Sequence, residues 1–425
     1  MTTTTSTNEP RGPQLTDVSG MTAEDAVDAL VARSVAMGAS DLFLATNEQH
    51  VAAEVRHLGL MRTVAILDRE QGRRAIAYIR ANAGMGHGET RRPDEGRWIW
   101  VPEGDDSGEV DNSVDLRISV IPTLWGEDIA MRLLVRSNTL YRLENLGMFE
   151  RQLSKYQQMI SGPGGIILIT GPTGSGKTAT LYATLMRLND GERKINTIED
   201  PIEYAVEGLR QSQVNPAIDM GFAELLRAVL RQNPDVIMVG EIRDPETAQT
   251  AVRAGNSGIL VLATLHAPST AATVQAMRAY GISNHFLANS LRGVVAQRLV
   301  RTLDPATRQE IDLGGTHAFE EIKDMLKPGE GEKAWAPVGA PGNHMSGYLG
   351  RTGVFEVMEV TRSVRGMIAS DAPASKIREQ AIKDGMLEFR KAALLKVARG
   401  ETSTEEVFRV IPSDELLFED TPVVE

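Results

Sequence analysis

Residues 171–178 read GPTGSGKT, with glycines at Gly171, Gly174 and Gly176 and a terminal Lys177–Thr178 pair. Few strings of this length restrict a fold so tightly. GGIILIT precedes it and TATLYATLMRLND follows. The first is an apolar run of strand length, and the second has helical spacing. A strand that passes through a glycine-rich turn into a helix opens a βαβ unit, and such units build parallel sheets covered on both faces. The following segments keep the alternation. KINTIED, DVIMVGE and GILVLATLHA read as strands, and FAELLRAVLRQN and PETAQTAVRAGNS as helices. The region is therefore expected to be a doubly wound α/β domain.

The chain has 425 residues, enough for two or three domains. In TAEDAVDALVARSVAMGAS, Thr22 is a candidate N-cap with Asp25 three residues on. Apolar positions recur through Ala26, Leu30 and Val35, and Gly38 ends the helix. DLFLA, HVAAEVRHL, SVDLRISVIPT and GEDIAMRLLVR read as strands, giving an α+β domain over residues 21–135. Residues 1–20 read as a disordered polar tail and 136–150 as a linker. The α/β domain runs over 151–412 and is interrupted at 303–347 by a stretch rich in Gly, Pro and charge, read as a surface insertion with one helix inside it. RTGVFEVMEV and two or three helices follow, and 413–425 form an acidic tail.

Composition removes several classes of function. No cysteine is present, which excludes disulfides and thiolate-bound zinc. The net charge of −12 and the aromatic fraction of 5% argue against a nucleic-acid binder, which needs basic grooves or stacking platforms. No apolar run approaches the ~20 residues that cross a bilayer. The N-terminus has no apolar core of a secretory signal. The cytoplasm is the expected compartment.

The chemistry-bearing residues follow from the loop. Backbone N–H groups of Gly171, Pro172–Gly174, Ser175, Gly176 and the helix start through Ala179 would cradle phosphate oxygens (Pro172 lacks an N–H and serves to shape the turn, with Thr173 beside it). Lys177 would reach the β and γ phosphates, and the Thr178 hydroxyl would ligate Mg²⁺. These residues point to ATP and Mg²⁺ as ligands. Glu241 ends an apolar strand of the same core, where a carboxylate can hold the Mg²⁺ shell or orient water. NTIEDPIEY brings Glu199, Asp200 and Glu203 together at another strand end. They read either as a general base or as a solvated acidic turn. His266, in TLHAPST, reads either as a γ-phosphate sensor or as a satisfied strand-end histidine. Arg227 and Arg231 share a helix face, and arginines recur in the first domain, where spacing alone singles out none.

Together these motifs resemble the secretion ATPase superfamily, the traffic ATPases of type II secretion and type IV pili. GPTGSGKT resembles its Walker A loop, NTIEDPIEY its aspartate box, LRAVLRQNPDVIMVGEIRDPETA its Walker B region and TLHAPST its histidine box. GASDLFL, RRPDEGR, VDLRISVIPTLWGEDIAMRLL, VVAQRLVR, GYLGRTGVFEVM and GETSTEEVFRV extend the likeness over roughly residues 35–411. The resemblance implies a RecA-like P-loop ATPase domain behind an N-terminal α+β, PAS-like domain. It implies a homohexameric ring in which ATP-driven domain rotation is passed to an inner-membrane platform protein, so membrane association goes through partners. By the same resemblance Glu199 is the water-activating carboxylate and Glu241 the Mg²⁺-side carboxylate. Arg97, Arg117, Arg132, Arg227 and Arg231 are candidates for γ-phosphate contact within or between subunits.

The sequence also departs from the family pattern. Phe43 and Ile259 stand where histidines are usual, and the interval that carries four zinc-binding cysteines in assembly-type members has none. The retained GYLGR favours assembly or export over a retraction ATPase. A conjugation ATPase of the same superfamily, a RecA-like nucleic-acid motor and a nucleotide-gated scaffold without turnover are the other readings.

Overall fold

Thr22 starts the first helix. Its hydroxyl accepts the backbone N–H of Asp25 at 3.1 Å, so one orphan donor of the first turn is satisfied. The computed structural model describes residues 15–86, 91–102, 113–135, 142–313 and 319–411. Most of the expected N-terminal tail, part of the linker and the acidic C-terminal tail lie outside the described residues.

The chain divides into two units. One takes the chain up to residue 137 together with 303–309 and 337–350, and the other takes 138–302, 310–336 and 351 onward. The first unit contains α1 (Ala23–Ala36), β1 (Asp41–Thr46), β2 (His50–His57), β3 (Leu60–Asp68), α2 (Arg69–Asn82), β4 (Asp94–Trp100), β5 (Val114–Thr123) and β6 (Gly126–Val135). The sequence reading lacks β3, α2 and β4. Asp68 caps α2 by accepting from the N–H groups of Glu70 and Gln71.

The six strands form one sheet in the order β3-β2-β1-β6-β5-β4, antiparallel throughout. Leu42, Leu44, Val55, Leu116, Ile118, Met131 and Leu133 point to one face. There they pack with Val27, Leu30 and Val31 of α1 and with Ile76 and Ile79 of α2. Period-two alternation puts Asp41, Arg56, Arg97, Arg117 and Arg132 on the other face, with Phe43 and Ile99 among them.

Residues 303–347, read as one insertion, are shared between the units. The later part is built around Asn343, which is fully buried. Its amide nitrogen donates to Asp304 Oδ2 at 2.8 Å, Thr307 Oγ1 at 2.9 Å and the Val338 carbonyl at 3.1 Å. Its oxygen accepts from the N–H groups of Ala340 and Gly347. Arg62 of β3 donates to the His344 carbonyl, and the His344 ring stands edge-on to His57 of β2 at 5.3 Å between centroids.

The second unit begins with α3 (Glu150–Ile160), β7 (Gly165–Thr170), α4 (Lys177–Leu188), β8 (Ile195–Glu199), β9 (Arg210–Gln213), α5 (Phe222–Leu230), β10 (Val236–Val239), α6 (Pro245–Asn256), β11 (Leu260–Leu265), α7 (Thr270–Ala279) and α8 (Asn284–Ser290). It continues with β12 (Leu291–Leu303), β13 (Gln309–Asp312), β14 (Lys333–Ala336) and β15 (Tyr348–Glu359). Four helices then follow where the sequence suggests two or three: α9 (Arg362–Ala369), α10 (Ala374–Lys383), α11 (Phe389–Ala398) and α12 (Thr404–Val410).

Seven strands form a sheet in the order β15-β12-β7-β11-β10-β8-β9. β7, β11, β10, β8 and β9 run parallel, and β12 is parallel to β7. Every residue of β7, β8, β10 and β11 is buried, as strands covered on both faces require. Alternate residues of β7 feed two cores. Ile166 and Leu168 pack with Leu226, Ala251, Val274 and Leu287 from α5, α6, α7 and α8. Ile167 and Ile169 pack with Tyr156 of α3 and with Leu181 and Leu185 of α4. β13 and β14 pair as a separate two-stranded sheet. Among the described residues no helix is long and apolar enough to cross a membrane.

Candidate active site

Parallel pairing sets the location of the site. β7, β8, β10 and β11 run in the same direction, so the phosphate loop, Glu199, Glu241 and His266 all leave the carboxyl edge of one sheet. The loop starts at Gly171, whose φ of 145° lies outside the range open to other residues. A Cβ there would stand 2.5 Å from the Gln297 carbonyl oxygen and 2.6 Å from Ser175 Oγ, so close packing also demands glycine. It closes at Gly176, the N-cap of α4, where φ is 89° and no side chain caps the helix.

The N-terminal N–H groups of α4 therefore have no side-chain acceptor and carry the positive end of the helix dipole. Ser175 Oγ is buried and has no hydrogen-bond partner. Lys177 Nζ donates to the carbonyls of Gly171 at 2.7 Å and Pro172 at 3.1 Å, so its ammonium lies across the loop. Burial lowers its pKa, Glu241 opposes that shift and Arg298 adds to it. An orphaned hydroxyl, an uncapped helix start and a half-buried ammonium fit a phosphate chain. Thr178, in the first turn of α4, is exposed and open to a ligand. Pro172, Thr173 and Gly174 form the exposed outer part of the loop, and Ala179 is half-buried in α4.

The carboxylates sit in two environments. Glu199 is 4% exposed and accepts three hydrogen bonds. Tyr182 Oη donates at 2.5 Å, Thr197 Oγ1 at 2.6 Å and Gln211 Nε2 at 3.1 Å. Tyr182 belongs to α4, so the carboxylate is tied to the helix that carries Lys177. Burial pushes the Tyr182 hydroxyl well above the ordinary tyrosine value, and the bond to Glu199 adds to the shift. It remains a proton donor at any physiological pH.

Glu241 instead faces an arginine and a histidine. Arg243 Nε donates to its Oε2 at 2.7 Å, and His266 Nε2 lies 2.9 Å from its Oε1. Arg243 also reaches Asp200 at 3.4 Å. Glu203 is half-buried on the loop after β8, where its backbone bonds the Tyr182 hydroxyl.

The five candidate arginines fall in two places. Arg227 and Arg231 lie on α5 and at its C-cap. Arg227 pairs with Glu246 in the first turn of α6, and Arg231 donates to the Arg227 carbonyl at 3.1 Å. Arg97, Arg117 and Arg132 stand directly opposite one another across β4, β5 and β6, on the open face of the first unit's sheet. The same register continues through Asp41 of β1 to Arg56 of β2. Asp115 holds Arg97 with two bonds of 2.8 and 2.7 Å, and Asp41 lies 3.4 Å from Arg132. Like charges in directly opposed positions repel across a sheet, and the carboxylates of Asp115 and Asp41 offset that repulsion at Arg97 and Arg132.

With this geometry in place, similarity to known proteins is informative. Residues 18–409 match the Type II/IV secretion system protein family. The type II secretion system protein E of Dickeya dadantii (strain 3937) is 40% identical over 384 residues, covering 90% of this chain and 74% of that protein. The chain belongs to this family of secretion ATPases. The type II secretion system ATPase E of Vibrio cholerae is 39% identical over 389 residues, covering 90% of this chain and 74% of its own. Among solved structures, the Legionella pneumophila ATPase DotB superposes with a TM-score of 0.69 at 19% identity, over 92% of this chain and 96% of that one. That likeness establishes a shared RecA-like fold.

The sequence reading omits several residues that hold these candidate groups in place. Tyr182, Thr197 and Gln211 hold Glu199, and Arg243 holds Glu241. Gln297 of β12 also touches the phosphate loop, where its Nε2 donates to the Ser175 carbonyl at 2.7 Å and its Oε1 accepts from Thr180 Oγ1 at 2.8 Å. Its one sequence signal is a polar residue inside the apolar run VVAQRLV.

Proposed function

We propose that the chain binds MgATP at residues 171–178 and hydrolyses it as the motor of a type II secretion or type IV pilus-like assembly machine. One observation carries the reading. A parallel sheet edge gathers the loop, with its unpartnered Ser175 hydroxyl and uncapped helix, beside two carboxylates in contrasting environments. The names of the relatives at 39–40% identity supply the type II secretion setting.

In this reading Lys177 exchanges the Gly171 and Pro172 carbonyls for phosphate oxygens. The N–H groups of Gly174–Ala179 receive the remaining charge. Glu199, held by its three donors, accepts the proton of the attacking water, and Glu203 is the second carboxylate of that loop. Thr178 and Glu241 would hold Mg²⁺, partly through water, and the ion would neutralise charge on the β and γ phosphates. His266 carries the state of Glu241 to the rest of the assembly.

Arg97, Arg117 and Arg132, and on the other unit Arg227 and Arg231, are the candidates for γ-phosphate contact within or between subunits. Six copies form a ring that acts on an inner-membrane platform protein, and the chain meets the membrane only through such partners. It takes no zinc and no nucleic acid. The test is ATP hydrolysis by the wild type and by Lys177→Ala, with mass followed by light scattering. Loss of turnover in Lys177→Ala and a hexameric mass under ATP are expected. Equal turnover in both would overturn the assignment of the loop.

A further inference from the structure

Gln297 is 2% exposed in the middle of an apolar strand. A buried amide is costly unless both of its ends are bonded. Here both ends are used, and both partners belong to the phosphate loop and the helix it opens. Nε2 donates to the Ser175 carbonyl and Oε1 accepts from Thr180 in the first turn of α4. The Gln297 carbonyl also stands 2.5 Å from the position a Cβ on Gly171 would take. β12 lies against β7 in parallel register, with Ala296 opposite Thr170. Gln297 thus meets the loop at its first residue, near its end and in the following helix.

A trans peptide is planar, with its C=O and N–H pointing in opposite directions. Fixing the Ser175 carbonyl on Gln297 therefore aims the Gly176 N–H away from β12, on the side opposite that bond. We infer that Gln297 is a positioning residue that orients the Gly176 N–H, and with it the start of α4, for the phosphates of the bound nucleotide. This inference rests on the reading of residues 171–178 as the ATP site. Arg298, the next residue on β12, donates to the Pro268 carbonyl at 2.8 Å and stacks its guanidinium over Phe389 at 5.0 Å. The strand thus braces the loop after His266 as well.

The experiment measures ADP affinity by calorimetry at fixed Mg²⁺ in the full chain, for wild type, Lys177→Ala, Gln297→Met and Gln297→Glu. Methionine keeps the volume without either hydrogen bond. Glutamate keeps the acceptor for Thr180, but when ionised it presents an oxygen to the Ser175 carbonyl. Gln297→Met should weaken ADP about tenfold, the worth of one lost hydrogen bond in binding. It should raise KM for ATP by a similar factor and leave kcat within about threefold.

Gln297→Glu should bind poorly at pH 8 and regain affinity towards pH 6. Burial raises the pKa of such a carboxyl, and the protonated form can donate again. Wild type should show no such recovery. If Lys177→Ala weakens ADP while both Gln297 variants bind like wild type at every pH, the positioning role is overturned and the site stands. If Lys177→Ala binds ADP like wild type, the site reading itself fails. Should Gln297→Met not fold, the pH dependence of Gln297→Glu decides the question alone.

Discussion

Replacing Glu199 with glutamine separates chemistry from architecture. The side chain keeps its length, and one oxygen can still accept from Thr197 at 2.6 Å and Gln211 at 3.1 Å. The new amide nitrogen faces the Tyr182 hydroxyl, which can turn to accept from it. That hydroxyl has the Tyr204 carbonyl at 3.3 Å as another acceptor. The three contacts survive in neutral form, so the stability change should stay within about 1 kcal/mol.

Catalysis should respond on a different scale. Loss of a positioned general base costs typically 10²–10⁴ in rate, or roughly 2.7–5.5 kcal/mol of barrier. The assay is steady-state phosphate release at saturating ATP, with melting temperature and ADP affinity measured on the same sample. A fall in kcat of about 10²-fold or more, with melting and ADP affinity near wild type, is expected. If Glu199→Gln keeps kcat within threefold of wild type, Glu199 is not the base, and the carboxylate doing that work is Glu203 or Glu241.

Two further outcomes follow from the same structure. Glu356 is fully buried beneath the Thr270 hydroxyl and the Phe389 N–H, and burial raises its pKa. The folded protein therefore holds this proton to higher pH than the unfolded chain. Its contribution to stability is complete below the ordinary carboxylate range and is lost as pH rises through the raised value. Glu356→Gln should flatten that part of the melting-temperature-against-pH curve, and an unchanged slope would refute the assignment. Arg117→Gln should lower ATP turnover by roughly 10³-fold if the arginine row meets the γ phosphate. Turnover unchanged by the substitution would show the row to be uninvolved.

The sequence exposes those parts of the site whose geometry is local. A strand, a glycine turn and a helix lie within about twenty residues, so GPTGSGKT announces its own surroundings. Glu241 is legible because an apolar strand of a parallel sheet must deliver its last side chain to the carboxyl edge. The partners of these residues come from far along the chain. Tyr182 sits at an apolar helical position and reads as core, and it is core except for the one oxygen that reaches Glu199. Gln297 lies 122 residues from Ser175, and only the strand order makes them neighbours. The arginine row depends on the register of five strands, which spacing within any one strand does not specify. α2 escapes the reading because its helix follows β3 directly, with Asp68 both ending the strand and capping the helix.

The shared insertion has a consequence for how this protein can be divided. The chain passes from one unit to the other at 137/138, 302/303, 309/310, 336/337 and 350/351. The first unit is therefore not a contiguous stretch of gene. A fragment ending at residue 137 would lack Asn343 and the five hydrogen bonds that organise its loop. It would also uncover His57, which is otherwise 5% exposed. Exchange of the N-terminal half between relatives by simple recombination would strand these two short segments in the wrong partner. Any division of the gene that keeps the first unit whole must carry residues 303–309 and 337–350 with it.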